Sequence, residues 1–570
     1  MDPASHSPAL LKPVAWWQLW SNPIFRRYRR SELRPARLAV WCLSILIFTL
    51  FFFLLVYLGG QRAGVDKVTA ARMTLIPTLA IQALVMMILG TTSTTLGYVR
   101  EAHEGVTEYQ RLTPSSPLAK VLGFLFGLPV RCYALFLLTV PFTLFAAVIG
   151  KIEPILLVRL YAVFLMSAIL YHLTGLLAGT VVKQRLLAGM IATSLVITIN
   201  TVLPFIMTGL GKGYAFLTHL TIWPVAMELF FKLGSETGPA FVEFAQNTGR
   251  THFSDGVQLY HWEIPNYLFS LLVQSGLILV FLVIIHRRWR DENHHLLGKH
   301  FSIFVCGGVL FLFLGTVLPI IHSGMIFPTL ALKNRGTKII QDAGLSASPT
   351  EAWALVSFTG LFTFQLASLI VGTITPSRER LLQGMRRARK LGQRGPSLGS
   401  DPATSFWHVS LIGLACGTVW WFFAQTLFNS SWTPDHSLPG WALPMMLFSF
   451  MIAVVGFWAI LEGRSKGGGT WIYLLLVWIV PLMISGILGV MRLPVAAIYA
   501  LTPSTPAAFF SISGALLNLP SKAVHLHISG YLWLFLNVFL VLFFLARRWT
   551  TARKLRAQVA AEVSDPNRSS

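Results

Sequence analysis

REAHEGVTEYQRLTPSSPL, residues 100–118, is a polar island between two long apolar runs. Arg100, Glu101, Glu104, Glu108 and Arg111 crowd around Gly105, a residue that interrupts helices. Thr113-Pro114-Ser115-Ser116-Pro117 then stops the helix, because proline lacks an amide hydrogen and clashes with the preceding turn. The expectation is a helical hairpin tip between two membrane spans, held where a partner outside the bilayer can grip it.

On either side of this island, apolar runs of about 20 residues recur from end to end. A helix of that length rises about 30 Å, the depth of the hydrocarbon layer. The 570 residues are 54% hydrophobic and 12% charged, against about 25% charged in a soluble domain. Mean hydropathy is +0.65. The fold class is therefore all-α, a polytopic helical membrane protein with no segment suited to a sizeable soluble domain. Twelve transmembrane helices are expected, near 38–60, 74–96, 121–149, 155–179, 187–207, 266–286, 301–321, 351–373, 407–428, 441–461, 470–491 and 528–546.

With the N-terminus placed in the cytoplasm, 31 of the 45 Lys and Arg fall in cytoplasmic segments and 12 in external loops. Arg131 and Arg159 lie within apolar runs and complete the set. This bias puts both termini inside a plasma (inner) membrane. The net charge of +23 would suit nucleic acid, but the basic residues sit in short clusters at the ends of apolar runs. That pattern marks topology and contact with anionic lipids, so no nucleic-acid partner is expected. Cys42, Cys132, Cys306 and Cys416 all lie in apolar runs and read as free thiols.

Residues 1–37 form a cytoplasmic tail. Within it Trp16, Trp17, Leu19 and Trp20 offer an apolar face, and Arg26, Arg27, Arg29, Arg30, Arg34 and Arg37 a cationic one, as in an interfacial helix. Residues 38–290 and 291–548 are expected to be two six-span halves, and 549–570 a cytoplasmic tail. The external stretches 208–265 and 492–527 are too apolar for free loops and should contain short helices.

The halves carry an internal repeat. Pro204 and Gly209 in VLPFIMTGLGK match Pro481 and Gly486 in IVPLMISGILG at one common offset. LTIWP at Leu220 is echoed by LTPSTP at Leu501, HRRWRDE at His286 by ARRWTTARK at Ala546, and VREAHEG at Val99 by SRERLLQG at Ser377. Four matches in the same order indicate two parallel repeats, with a transport path where such halves meet.

Motifs for chemistry are missing. The Gly-Lys pairs at Gly150, Gly211 and Gly298 are followed by Ile152, Gly213 and His300, not the Ser or Thr of a phosphate-binding loop. His294, His295 and His300 lack metal-site spacing. No catalytic constellation appears, so the chain is not expected to be an enzyme or to bind a cofactor or metal. His172 is the deepest ionisable residue in a span, and no carboxylate lies in the middle of one. His172, Asn200, Pro204 and Pro481 are candidates for the path, with helix packing the alternative for His172 and Asn200.

R-E-x-x-E-G-x-T-E-x-x-x-L-T-P-x-S-P resembles the cytoplasmic coupling element of ATP-binding-cassette (ABC) export permeases of the type-2 class. The matching positions are Arg100, Glu101, Glu104, Gly105, Thr107, Glu108, Leu112, Thr113, Pro114 and Pro117, with Arg111 alongside. The leader W-x-x-x-S-N-P-I-F-R-R at Trp17 is similar to the elbow helix of that class. The second half keeps Arg378, Glu379, Arg380 and Gly384, but has Arg386, Arg387, Arg389 and Lys390 where the Thr and Pro would follow. The resemblance implies an exporter permease for a small or amphipathic substrate. ATP and magnesium would be handled by two separate cytoplasmic ATPase subunits, docked beneath 100–118 and 377–394. A membrane scaffold holding a partner by the same loops is the alternative. An ion-coupled carrier would need the mid-span carboxylate that is missing.

Overall fold

A chain in hydrocarbon must satisfy its backbone internally, and apolar runs of this length do so as helices. The computed structural model describes residues 17–113, 115–182, 184–202, 215–235, 256–290, 294–323, 326–327, 349–393, 395–433, 442–462, 524–564 and a few positions between 483 and 491. Among them, eight helices are long and apolar enough to cross a membrane. They are α2 (Pro35–Arg62), α3 (Lys67–His103), α6 (Val130–Ile149), α7 (Pro154–Val181), α11 (Asn266–Arg290), α12 (Lys299–His322), the Leu355–Ile374 part of α13 (Pro349–Ile374) and α15 (Phe406–Phe428). The protein is thus a multi-pass, essentially all-helical membrane protein.

The other four expected spans fall on α8 (Arg185–Ile197), α16 (Ala442–Leu461), α17 (Val524–Ser564) and 470–491, the last almost wholly outside the described residues. Pro114, Pro204 and Pro481 also lie outside them. The run expected as one span at 121–149 is two helices, α5 (Pro117–Gly127) and α6, parted at Leu128-Pro129. Proline's missing amide hydrogen explains the break. Shorter pieces complete the set: α1 (Pro23–Glu32), α4 (Val106–Leu112), α9 (Ala215–Thr218), α10 (Trp223–Ser235), α14 (Arg378–Lys390), and a hairpin of β1 (Gly256–Leu259) and β2 (Trp262–Pro265).

The chain divides into two compact units near Asn293. In the first, small residues let helices approach closely, which is how packing is gained where lipid is as apolar as leucine. A Cβ on Gly175 would sit 2.7 Å from Thr95 Oγ1, and one on Gly179 would sit 3.0 Å from Tyr98, so α7 lies directly on α3. On α5, Gly123 and Gly127 make the same allowance for Asn22 and Tyr28 of the leader. The leader packs through a second set of apolar residues. Trp17 and Trp20 are exposed, and Ile24, Phe25 and Tyr28 are buried. Helical spacing explains it: 24 and 28 lie one turn apart and share a face. Arg131 and Arg159 resolve their depth by stacking, on Trp41 at 4.9 Å and Tyr267 at 4.7 Å. Helix α10 buries Val225, Ala226, Leu229 and Leu233 against Leu156, Leu160 and Val163 of α7.

In the middle of α3, residues Leu84–Leu89 form a π-helical segment, which disturbs the regular hydrogen-bond ladder. The carbonyl of Met86 accepts from His172 Nε2 at 2.8 Å, so Nδ1 is the free acceptor and takes the Tyr133 hydroxyl at 3.1 Å. His172 is fully buried with both ring nitrogens engaged, the arrangement of a residue that joins helices. In the second unit, Trp420 is likewise fully buried and donates to Val356 O at 2.8 Å, and Gly360 makes room for its ring. Cys306 and Cys416 are free thiols 3.6 Å apart between α12 and α15.

Gly90 shows how tight the His172 joint is: an added Cβ would lie 2.2 Å from Nε2. Gly90→Ala should therefore displace the imidazole and lower stability by about 1–3 kcal/mol. Thermal unfolding in detergent measures this, and Gly90→Ala combined with His172→Ala should recover part of the loss. An unchanged unfolding temperature for Gly90→Ala would show that the joint is slack.

Candidate functional site

The residues around Gly105 meet at one end of the first unit. Helix α3 runs on to His103, and Gly105 reverses the chain at φ +72°, where a side chain would be strained. Helix α4 follows, and Thr113 ends it in extended conformation. Ser116 then caps α5, accepting from Ala119 N at 3.2 Å, with Pro117 in its first position.

This tip has two sides. Glu101, Thr107 and Gln110 are buried. Glu104, Glu108, Tyr109 and Leu112 are exposed, Tyr109 to 71% and Leu112 to 85%. The buried side ties the tip to its surroundings. Arg27 of α1 grips Glu101 with both ends of its guanidinium, Nη2 to Oε1 at 2.8 Å and Nη1 to Oε2 at 3.0 Å. Two parallel charge-assisted bonds fix orientation as well as distance. Burial, with the Glu101 charge close by, pushes the pKa of the Tyr28 hydroxyl up, so it stays protonated.

Helix α1 is itself anchored. Asn22 caps it, accepting from Ile24 N at 3.0 Å, and donates from Nδ2 to Ala119 O at 2.6 Å. Lys120, buried, donates to Arg111 O at 3.2 Å and Thr113 O at 3.1 Å, closing the carbonyl end of α4. The Arg111 guanidinium lies over Trp289 of α11 at 5.9 Å. By contrast, Arg100 and Glu104 form a solvent-facing pair at 2.8 Å that adds little. That hydrogen bond holds the Glu104 carboxyl below its usual range.

The counterpart in the second unit is α14. Leu381, Gly384 and Ala388 are buried, and a Cβ on Gly384 would lie 2.5 Å from Pro402. Arg380 donates to His295 Nδ1 at 3.1 Å, while His295 Nε2 donates to Asp401 O and its backbone amide to Asp401 Oδ2, both at 3.2 Å. Lys299 donates to Ser400 O and Ala403 O at 2.8 and 2.7 Å. Arg389 reaches Val559 O of α17 at 3.2 Å. Arg378, Glu379, Arg386, Arg387 and Lys390 face solvent. Where the first tip shows Tyr109 and Leu112, this one shows mostly cations, with Leu391 exposed at the end of α14.

Of the path candidates, His172 is the joint described above. Asn200 accepts from Tyr171 at 3.4 Å through Oδ1, and its carbonyl accepts from Trp223 Nε1 at 2.6 Å. Three polar groups escaped the sequence reading. Arg27 gave no sign of its partner 74 residues away. Glu228 of α10 is buried with Asn266 Nδ2 at 3.2 Å and Lys232 at 3.7 Å. Glu462, at the end of α16, is buried against Arg548 of α17 and accepts from Ser405 N at 3.1 Å. A lone acid closing an apolar run was the available signal for Glu462.

Arg27→Ala should leave the Glu101 carboxylate buried without its cation and lower stability by about 1–3 kcal/mol. Arg27→Ala with Glu101→Gln should recover most of it, as thermal unfolding of the two variants will read. His295 yields a pH dependence. Burial, then the Arg380 charge, lowers its pKa from 6.5 to about 4. Between those values the unfolded chain takes up a proton that the folded chain refuses, so stability is full above about pH 6.5 and falls as the pH drops toward 4. By pH 5 the loss is on the order of 2 kcal/mol. It should show as a drop in unfolding temperature that His295→Gln lessens.

Comparison with protein-family models, with curated proteins and with solved structures finds no match to this chain.

Proposed function

We propose that the chain is the membrane-spanning permease of an ATP-driven exporter of the type-2 ABC class, moved by separate ATPase subunits that grip α4 and α14. One observation carries this reading: α4 presents Glu108, Tyr109 and Leu112 to solvent at the end of a tip braced by Arg27, Lys120 and Trp289. An exposed leucine and tyrosine flanked by an acid suit a groove on a protein partner. The bracing suits transmission, because a push on α4 reaches α1, α3, α5 and α11 through short, directional contacts rather than through a loose loop.

The finer features belong to the same proposal. The chain carries twelve spans in two parallel six-span halves, in a plasma (inner) membrane, with both termini and both gripped helices in the cytoplasm. ATP and magnesium bind the partner subunits, and a small or amphipathic substrate crosses. Within the proposed grip, Glu101 acts as an internal brace, and Glu108, Tyr109 and Leu112 make the contact.

The test uses the tagged full-length chain purified from its own host's membranes, with ATP hydrolysis recovered alongside it as the readout. Glu108→Arg combined with Leu112→Asp should cut that hydrolysis about tenfold or more, a loss of about 1.4 kcal/mol of binding per factor of ten. The unfolding temperature of the chain itself should not move. Undiminished hydrolysis in the variant removes α4 as the grip. A partner that stays bound but whose turnover ignores the chain would make the protein a scaffold.

A further inference from the structure

Helix α17 is 41 residues long, so it rises about 60 Å, twice the depth of the hydrocarbon layer. Its apolar run closes at Ala546, and residues 550–564 carry on as a polar helix. A helix of about 15 residues is marginal in water by itself, so packing must hold this one. Leu555 and Val559 are buried, while Arg553, Lys554, Arg556 and Ala557 are exposed. The direction of that small apolar stripe is set lower down. Arg548 is paired with the buried carboxylate of Glu462, its Nε donating to Oε2 at 2.6 Å. Leu555 and Val559 follow Arg548 by about two and three helical turns, so all three look the same way. The ion pair fixes the rotation of α17 and with it the facing of Leu555 and Val559.

This end of the chain meets α14. The two helices pack together, and Arg389 Nη1 donates to Val559 O at 3.2 Å, near the C-terminal end of α17, where the helix dipole favours a cation. Helix α14 needs such support. In RERLLQGMRRARK the cations far outnumber the one acid, Glu379, and like charges three and four residues apart weaken an isolated helix. Its first half is held without α17: Arg380 donates to His295, and Gly384 lies against Pro402. Its second half carries Arg387 and Lys390 to solvent, and there Ala388 is buried and Arg389 reaches α17. The first unit meets its tip differently. HRRW at His286 and ARRW at Ala546 share a pattern, yet Trp289 is buried beneath the Arg111 guanidinium, whereas Trp549 is exposed with Arg553 over it. The second tip is met further along, at Val559.

We propose that the polar end of α17 is the positioning element of the second tip: Leu555, Val559 and the Val559 carbonyl hold the cationic half of α14 where a partner meets it. This rests on the reading of α14 as a gripped helix, while the support itself is measured with no partner present. Because the hold is an apolar pair and a bond to a neutral carbonyl, it leaves the charges of Arg387 and Lys390 available to the partner.

Amide hydrogen exchange of the full-length chain in a neutral detergent reads the support. Leu555→Ser with Val559→Ser should speed exchange of residues 385–391 about tenfold or more, and Arg389→Gln, which removes one exposed donor, about fivefold. Residues 378–384 and 106–112 should keep their rates, and Leu555→Met with Val559→Ile should behave as the wild type. Arg389→Gln decides alone if the serine variant fails to fold. Unchanged exchange at 385–391 overturns the proposal, and so does an equal rise at 106–112, which would mean general loosening of the chain. The serine variant, purified from its host's membranes, should also recover less ATP hydrolysis. Faster exchange with undiminished hydrolysis would keep α17 as the support and remove α14 from the grip.

Discussion

A carboxylate cannot be buried alone, and the polar end of the first unit is arranged around that constraint at Glu101. Desolvating an isolated charge costs several kcal/mol, which the chain avoids by bringing Arg27 from the leader to meet it. For Arg27 to arrive, α1 must lie against α5, and it can do so because Gly123 and Gly127 offer no side chains there. For α1 to be a helix at that point, Asn22 must cap it, and the same side chain bonds Ala119 O. The ion pair ties the leader to the end of α3, and the Asn22 bond ties it to the start of α5, so the three are held together. Half of the Arg27 side chain stays in contact with solvent, so the pair gives more orientation than energy.

Deeper in the first unit the governing problem is different. Lipid offers no hydrophobic gain for bringing helices together, so close approach and polar bonds must supply it. Glycines 175 and 179 give the approach between α7 and α3. The π segment gives a polar bond, because a disturbed turn offers a carbonyl to a neighbouring helix, and His172 takes Met86 O. A second cluster repeats the idea with side chains alone: Gln82 donates to Thr143, and Tyr161 donates to Gln82, at 3.1 and 2.6 Å. These polar side chains are mutual partners once the helices are packed.

This explains what could and could not be read from the sequence. The positions of the eight long apolar helices were legible, since apolar length is a local property and backbone satisfaction leaves no other fold for it. The Gly105 turn and the caps at Asn22, Asp66 and Ser116 are local too, each fixed by a few neighbouring residues. The break at Leu128-Pro129 was written in a proline, but hydrophobicity on both sides masked it. Which residues of the leader pack against the fold was not legible, because composition shows that an apolar face exists, not that Ile24, Phe25 and Tyr28 would be buried. Arg27 with Glu101, Lys299 with Ser400 and Glu462 with Arg548 were invisible, because a pairing across the fold leaves no periodic trace in either strip of sequence.

The two polar tips illustrate how one structural demand is met by different chemistry. In the first unit a buried lysine closes α4 by bonding the carbonyls of Arg111 and Thr113 from the start of the next helix. In the second, Lys299 stands at the start of α12 and bonds the carbonyls of Ser400 and Ala403, far ahead in sequence. Each places an ammonium under a chain end that would otherwise leave carbonyls unpaired. The surfaces they support are not alike. Tyr109 and Leu112 are an exposed apolar pair, whereas the exposed arginines of α14 set up a field that salt screens over about 8 Å at physiological strength. A partner binding both would hold the first by shape and the second by charge. The asymmetry between the two tips is a property of this polypeptide itself.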